Sequence, residues 1–292
     1  MVYAGRAVKR PSAQDVTIRL NDIIADHISS PLPEWRDEVA SKIVIPDFAL
    51  ETSEGGDAWN TLEDALQFFP DWSYDASHEA AVNGIAAPIT RKVDARQPLL
   101  VSYYSKTEIP IVLTFEDGTT QSSTFDVSDA PYGTLCTHLI NYPNLKSISV
   151  NGEDYEVAGS CYDFVLYYLN AFGGWDSMLI EGNSKRSDAV TRHTFEKGYD
   201  NRYDYQRGRT NYLNEMIPSW TLYTGILSDE QSLRMHHLMN SPDVFLYNIA
   251  EDRMMSVVLT DAATEYKTFK NNGRQVVSYT ITCELAQERI RR

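Results

Sequence analysis

The sequence predicts a mainly β fold with a few short α-helices, built on a β-sandwich or small-barrel core with long loops. Three observations lead there. Short runs rich in Val, Ile, Thr, Tyr and Phe recur along the chain, turn residues separate them at hairpin spacing, and the 292 residues include 18 tyrosines. Tyrosine joins a large apolar ring to a polar tip, which suits a half-buried pleated surface and equally a protein interface.

Residues 1–15 are polar and small around Pro11 and read as a flexible N-terminal arm. Asp15-Val-Thr-Ile-Arg-Leu-Asn21 alternates apolar and polar residues, the period of a half-buried strand. Lys42-Ile-Val-Ile45 is a strand candidate stopped by Pro46, and the paired glycines of 51–57 mark a loop. Over 61–69 the apolar residues Leu62, Ala65, Leu66 and Phe69 fit a short amphipathic helix, with Thr61 as N-cap and Pro70 as its end.

Beyond residue 96 the pattern sharpens. Leu99–Tyr104 is a strand, and 109–115 and 121–127 form a hairpin across Glu116-Asp-Gly-Thr119. A second hairpin joins 147–150 to 154–157 through Asn151-Gly152, because both turn residues accept positive φ. Phe164-Val-Leu-Tyr-Tyr-Leu169 is apolar throughout, as a strand buried on both faces should be, and 177–181 resumes strand character. Trp220–Thr224 is a further strand. Ser228-Asp-Glu-Gln231 has the form of a capping box opening a helix that runs to about Asn240, before Ser241-Pro242. Strands then recur at 244–248, 255–260, 264–269 and 276–285. The chain thus divides into the arm at 1–15, a mixed region at 16–95, a hairpin-rich region at 96–160 and a β-rich assembly module at 161–292, with 96–292 also readable as one domain.

With 41 acidic and 26 basic residues the net charge is −15, which repels nucleic acid and anionic membrane surfaces alike. Cys136, Cys161 and Cys283 are widely spaced and sit beside apolar residues. They read as reduced core thiols from a reducing cytoplasm. The N-terminus lacks the apolar core of a secretory signal, and no run has the length of a membrane span.

The motifs with firm chemistry are missing: no phosphate-binding loop, dinucleotide fingerprint, zinc-protease helix, nucleophile elbow or calcium loop. Asp15, Asp22 and Asp26 are close in sequence, which does not set the separation an acid–base pair needs, and Asp22 and Asp26 read as turn formers or solvated charges. His236 and His237 are adjacent, so on a helix they diverge by roughly 100° and poorly share a metal, one packing and the other facing solvent. Trp35, Trp59, Trp72, Trp175 and Trp220 suit core or interface packing better than a sugar platform. No enzyme activity, cofactor or metal is therefore expected.

One stretch differs from the rest. Between Gly182 and Thr210, Lys185, Arg186, Arg192, Lys197, Arg202, Arg207 and Arg209 outnumber Asp188, Glu196, Asp200 and Asp204, and Tyr203 and Tyr205 lie among them. In an acidic chain this basic, Tyr-containing segment is either a solvated loop or a contact with an acidic patch on a neighbouring subunit.

Four motifs then occur in order: Tyr167-Tyr-Leu-Asn-Ala-Phe-Gly-Gly-Trp-Asp176, Leu227-Ser-Asp-Glu-Gln231, Asn240-Ser-Pro-Asp-Val-Phe-Leu246, and Glu265-Tyr-Lys-Thr-Phe-Lys270 followed by Tyr279-Thr-Ile-Thr282. This order is similar to virion-associated proteins of tailed bacteriophages and prophages of Bacteroides-type hosts, over about 161–292 and including Val16–Ile24. The resemblance implies a tail, baseplate or connector component that assembles as a ring or collar, in a virion built in the host bacterial cytoplasm. Its expected partners are other copies of itself and neighbouring virion proteins, without nucleic acid or membrane. It transfers no active-site residues. A second reading is a carbohydrate-binding module that recognises host glycans through its tryptophans, and a third is a hydrolase with a scattered site.

Overall fold

The computed structural model describes residues 32, 35–36, 40–42, 47–52, 60–67, 91–104, 108–126, 132–159, 162–170, 173–196, 198, 208–261, 278–287 and 289–291. In chain order the first strands are β1 (Ala40–Lys42), β2 (Asp47–Thr52), β3 (Asn60–Gln67), β4 (Arg91–Asp94) and β5 (Pro98–Tyr104). Next come β6 (Glu108–Phe115), β7 (Thr120–Asp126), β8 (Tyr132–His138), β9 (Leu145–Val150) and β10 (Glu153–Ala158). The rest are β11 (Phe164–Leu169), β12 (Trp175–Leu179), β13 (Ser184–Glu196), β14 (Arg209–Tyr223), the helix α1 (Asp229–Met239), β15 (Val244–Asn248), β16 (Arg253–Asp261), β17 (Thr280–Leu285) and β18 (Arg289–Arg291). The protein is mainly β. Among the described residues α1 and one 3-10 turn at Leu139–Asn141 are the helical elements.

Turn chemistry sets the hairpins. Asn151 and Gly152 take φ of 51° and 82°, so β9 and β10 close across a two-residue turn. The β6–β7 turn is held by Asp117, whose carboxylate accepts from the Thr119 N–H at 2.9 Å and its hydroxyl at 2.6 Å. At α1 both halves of the capping box form: Ser228 Oγ accepts from Gln231 N at 3.2 Å, and Gln231 Oε1 accepts from Ser228 N at 3.0 Å.

The described strands form four sheets. The largest runs β12-β11-β15-β16-β17-β14-β13, with β18 added alongside β14. A five-stranded sheet runs β4-β10-β9-β6-β7, and a three-stranded sheet runs β1-β8-β5. β2 and β3 pair by themselves. Among the described residues, β4 with β10 is the one parallel pairing.

Alternating side chains stack these sheets into layers. Leu99, Val101 and Tyr103 from one face of β5 join Ile109, Leu113, Ile148, Val150 and Tyr155 of the five-stranded sheet. From the opposite faces of β5 and β8, Leu100 and Cys136 meet Val165 and Tyr167 of β11 and Tyr247 of β15. Leu166 and Tyr168, on the other face of β11, then pack with Trp220, Leu222, Ile281 and Cys283 against Met235 and Leu238 of α1. β5 and β11 are therefore buried on both faces, which accounts for the unbroken apolar run at 164–169. Residues from 96–160 and from 161–292 share the middle core.

One predicted element differs in kind. The helix expected over 61–69 is replaced by β3, antiparallel to β2 with register shifts on either side of Leu50. Each shift puts β-alternation out of step, so the apolar spacing imitates a helical one. The strands expected at 15–21 and 264–269, the arm at 1–15 and Cys161 lie outside the described residues. Cys136 and Cys283 are buried and in no disulfide, and burial pushes the Cys283 thiol up to about 12. His236 and His237 are both half-buried, rather than one packed and one solvated. Among the described residues no helix is long and apolar enough to cross a membrane.

Candidate functional site

Two places gather polar chemistry: an exposed ribbon at one edge of the large sheet, and a buried ionic junction where the layers meet.

The ribbon is β13 with β14. Lys185, Arg186, Arg192 and Arg209, expected in a loop, lie on these long strands and are all exposed. Lys197, Arg202, Tyr203, Tyr205 and Arg207 lie outside the described residues. Thirteen residues of β13 span about 43 Å at the usual rise. β14 is braced on its far side by β17 over 219–223 and by β18 over 214–216. Toward the tip the hairpin holds itself. Its base needs Gly182, whose N–H donates to the Tyr223 carbonyl at 2.9 Å and where a Cβ would collide with that oxygen.

Local pairs stiffen the ribbon. Arg186 donates through Nε to Asp188 at 3.0 Å and lies 5.7 Å over the Trp220 ring. Arg209 reaches Glu196 at 3.2 Å, and His193 Nε2 stands 3.4 Å from the Glu215 carboxylate. Ser219 Oγ donates to the Ser187 carbonyl at 2.9 Å. A register shift between His193 and Thr194 leaves Tyr212 as the extra residue on β14, and Tyr212 meets the rings of His193 and Phe195. Val190 and Tyr212 remain 50% and 58% exposed.

The junction lies where β4, β10, β11, β12 and α1 converge. Arg91 bonds the Glu153 carboxylate through Nη1, which also donates to Tyr155 Oη at 2.9 Å. Tyr155 in turn donates to Glu153 at 2.7 Å. Arg91 Nε lies 3.4 Å from Asp176 Oδ1, and Arg234 Nη1 reaches Asp176 Oδ2 at 3.1 Å. The Ser177 N–H completes the shell of Asp176 at 2.8 Å.

Two arginines thus face two carboxylates, and the buried charge balances. Burial alone would push the Asp176 carboxyl up. Arg234, Arg91 and the Ser177 N–H outweigh it and hold the group below the usual aspartate range. Burial also opposes the Arg91 charge, but Asp176, Tyr155 and Glu153 more than offset that. Glu153 goes the other way: its desolvation exceeds the pull of Arg91 and of the Tyr155 hydroxyl, so its carboxyl is raised. Burial raises the Tyr155 and Tyr168 phenols as well. Chemically the arrangement is a clamp, since each charged group already stands against an opposite charge, Arg91 Nε facing Asp176 without closing a hydrogen bond. It ties the five-stranded sheet to the large sheet and to α1.

Sequence reading missed the junction because its members lie far apart in the chain. One signal was present. Glu153 shares its strand face with Tyr155 and Val157, and a carboxylate on an inward face requires a cation.

Of the tryptophans, Trp175 and Trp220 are 3% and 5% exposed, so neither offers a ring face to a sugar. Trp35 packs edge-on against Tyr247 at 5.5 Å between ring centroids. Trp59 and Trp72 lie outside the described residues. Among the described residues, no group of three or more His, Cys, Asp and Glu side chains is placed to hold a metal ion. Comparison with protein-family models and with curated proteins finds no match.

Proposed function

We propose that this chain is a structural subunit of a bacteriophage tail, baseplate or connector. It works through contacts with copies of itself and with neighbouring virion proteins, and reaches the virion after assembly in the host bacterial cytoplasm. The observation that carries the reading is the β13–β14 ribbon. A two-stranded arm solvated along nearly its whole first strand adds little to its own subunit's core, so a partner is the natural use of its surface. The positively charged side chains of Lys185, Arg186, Arg192 and Arg209 on a chain of net charge −15 give that arm a sign complementary to the rest of the molecule. The phage assignment itself follows from the motif order over 161–292. Burial of Trp175 and Trp220 weighs against the glycan-binding alternative.

The test is co-expression of the full chain with the products of its neighbouring genes, followed by mass photometry and negative-stain imaging. Ordered particles containing the chain are expected. A chain that joins no particle, or that lies among genes for polysaccharide utilisation, would overturn the reading.

A further inference from the structure

The two ends of the large sheet are not alike. At one end β12 packs against β4 and β5, and the Trp175 N–H donates to Ser102 Oγ at 2.7 Å. At the other end β13 pairs with β14 on one side only. Among the described residues no strand pairs its outer side. An exposed strand edge is a template for another strand, and here it is long.

We infer that the outer edge of β13 pairs antiparallel with β13 of a second copy, about a two-fold axis through Val190. This deepens the proposed function and rests on it for the need of a partner.

The register follows from the side chains. An antiparallel pair of identical strands has its axis perpendicular to the sheet, so even-numbered residues oppose even-numbered ones. With the axis at Val190, Asp188 of each copy stands opposite Arg192 of the other. Two opposite-charge contacts then flank a Val190–Val190 pair that covers a half-exposed apolar side chain. Nowhere along the strand do like charges face each other. Moving the axis to Ala189 would oppose Arg186 to Arg192. Moving it to Thr191 would exchange the two Asp188–Arg192 contacts for two between Arg186 and Glu196, but it would set Asp188 opposite Thr194 and the half-exposed Val190 opposite Arg192. On β13 itself the alternation is continuous, because the extra residue at the register shift belongs to β14. Asp188 and Arg192 are exposed, and Asp188 bonds only the neighbouring Arg186 among the described residues, so both are available to a second copy.

A contact of this symmetry closes at two copies. It joins pairs of subunits, or couples two rings face to face, and leaves ring closure to other surfaces.

The test uses the full chain and two single variants, Asp188→Arg and Arg192→Asp, in sedimentation velocity. Each variant alone opposes like charges twice across the axis, and self-association should weaken about tenfold or more relative to wild type. An equimolar mixture of the two restores both opposite-charge contacts, so association should return to the wild-type level as a mixed dimer. Unchanged thermal melts establish that the variants are folded. Variants that associate like wild type, or a mixture that fails to regain association, overturn the pairing while leaving assembly by other contacts intact. A wild-type chain monomeric at every concentration also overturns it, whereas the proposed function fails separately, when no particle forms with neighbouring gene products.

Discussion

At the junction, Arg91 and Glu153 have side chains 8% and 11% exposed; on the ribbon, Arg209 and Glu196 are 69% and 76% exposed. Both are arginine–carboxylate pairs at bonding distance, yet water decides what each can do. In the junction each ion has lost its hydration and depends on its partners, so removing one leaves the others stranded. On the ribbon each ion keeps its water, the pair adds little to stability, and both groups stay free to change partners. Identical chemistry thus serves cohesion in one place and, in the other, leaves charges open for the contacts proposed above.

The largest effect should come from breaking the junction. Asp176→Asn leaves Arg91 and Arg234 without their shared carboxylate and should cost about 3–5 kcal/mol in urea unfolding at neutral pH. The same variant should change the acid limb of the stability curve. Asp176 titrates below its ordinary value in the folded chain, so its contribution is complete above about pH 4 and is lost as pH falls through the lowered value. Glu153 has the opposite sign: its contribution is present below its ordinary value and is lost as pH rises through the raised one. Without Asp176 the acid loss should shrink. A cost below about 1 kcal/mol would place the junction with the ribbon energetically and break the contrast.

An intermediate case sharpens it. Tyr167 is fully buried in the middle core and donates its hydroxyl to the Pro98 carbonyl. Tyr167→Phe keeps the packing and removes that hydrogen bond, so thermal melts should show a loss of about 0.5–1.5 kcal/mol. The smallest effect on stability belongs to Arg209→Glu, within about 0.5 kcal/mol, while the same variant should weaken self-association in sedimentation. A stability loss comparable to that of Tyr167→Phe would mean the ribbon holds its own subunit together.

Local rules made much of the fold legible. The Asn151-Gly152 turn, the capping box at Ser228 and the two-faced apolar run at 164–169 each depend on residues close in sequence, and each formed where expected. β3 was misread because register shifts on both sides of Leu50 erase the two-residue period on which strand recognition depends. β13 was read as part of a solvated segment for a related reason. A strand wet on both faces has no apolar side to mark, and only its Val and Thr content hints at extension. The basic residues Lys185, Arg186, Arg192 and Arg209 were legible by charge, but their placement along one arm was not. The junction was invisible apart from Glu153, because Arg91, Asp176 and Arg234 are brought together by layer packing alone.

The closed end at Trp175 also sets a limit on growth. In a polymer chemist's terms, a sheet with one reactive end is monofunctional: among the described strands of the large sheet, a single coupling at β13 consumes the open end. Strand addition at β13 therefore ends growth of the large sheet after one coupling, so this long solvated edge does not by itself seed an open-ended fibre.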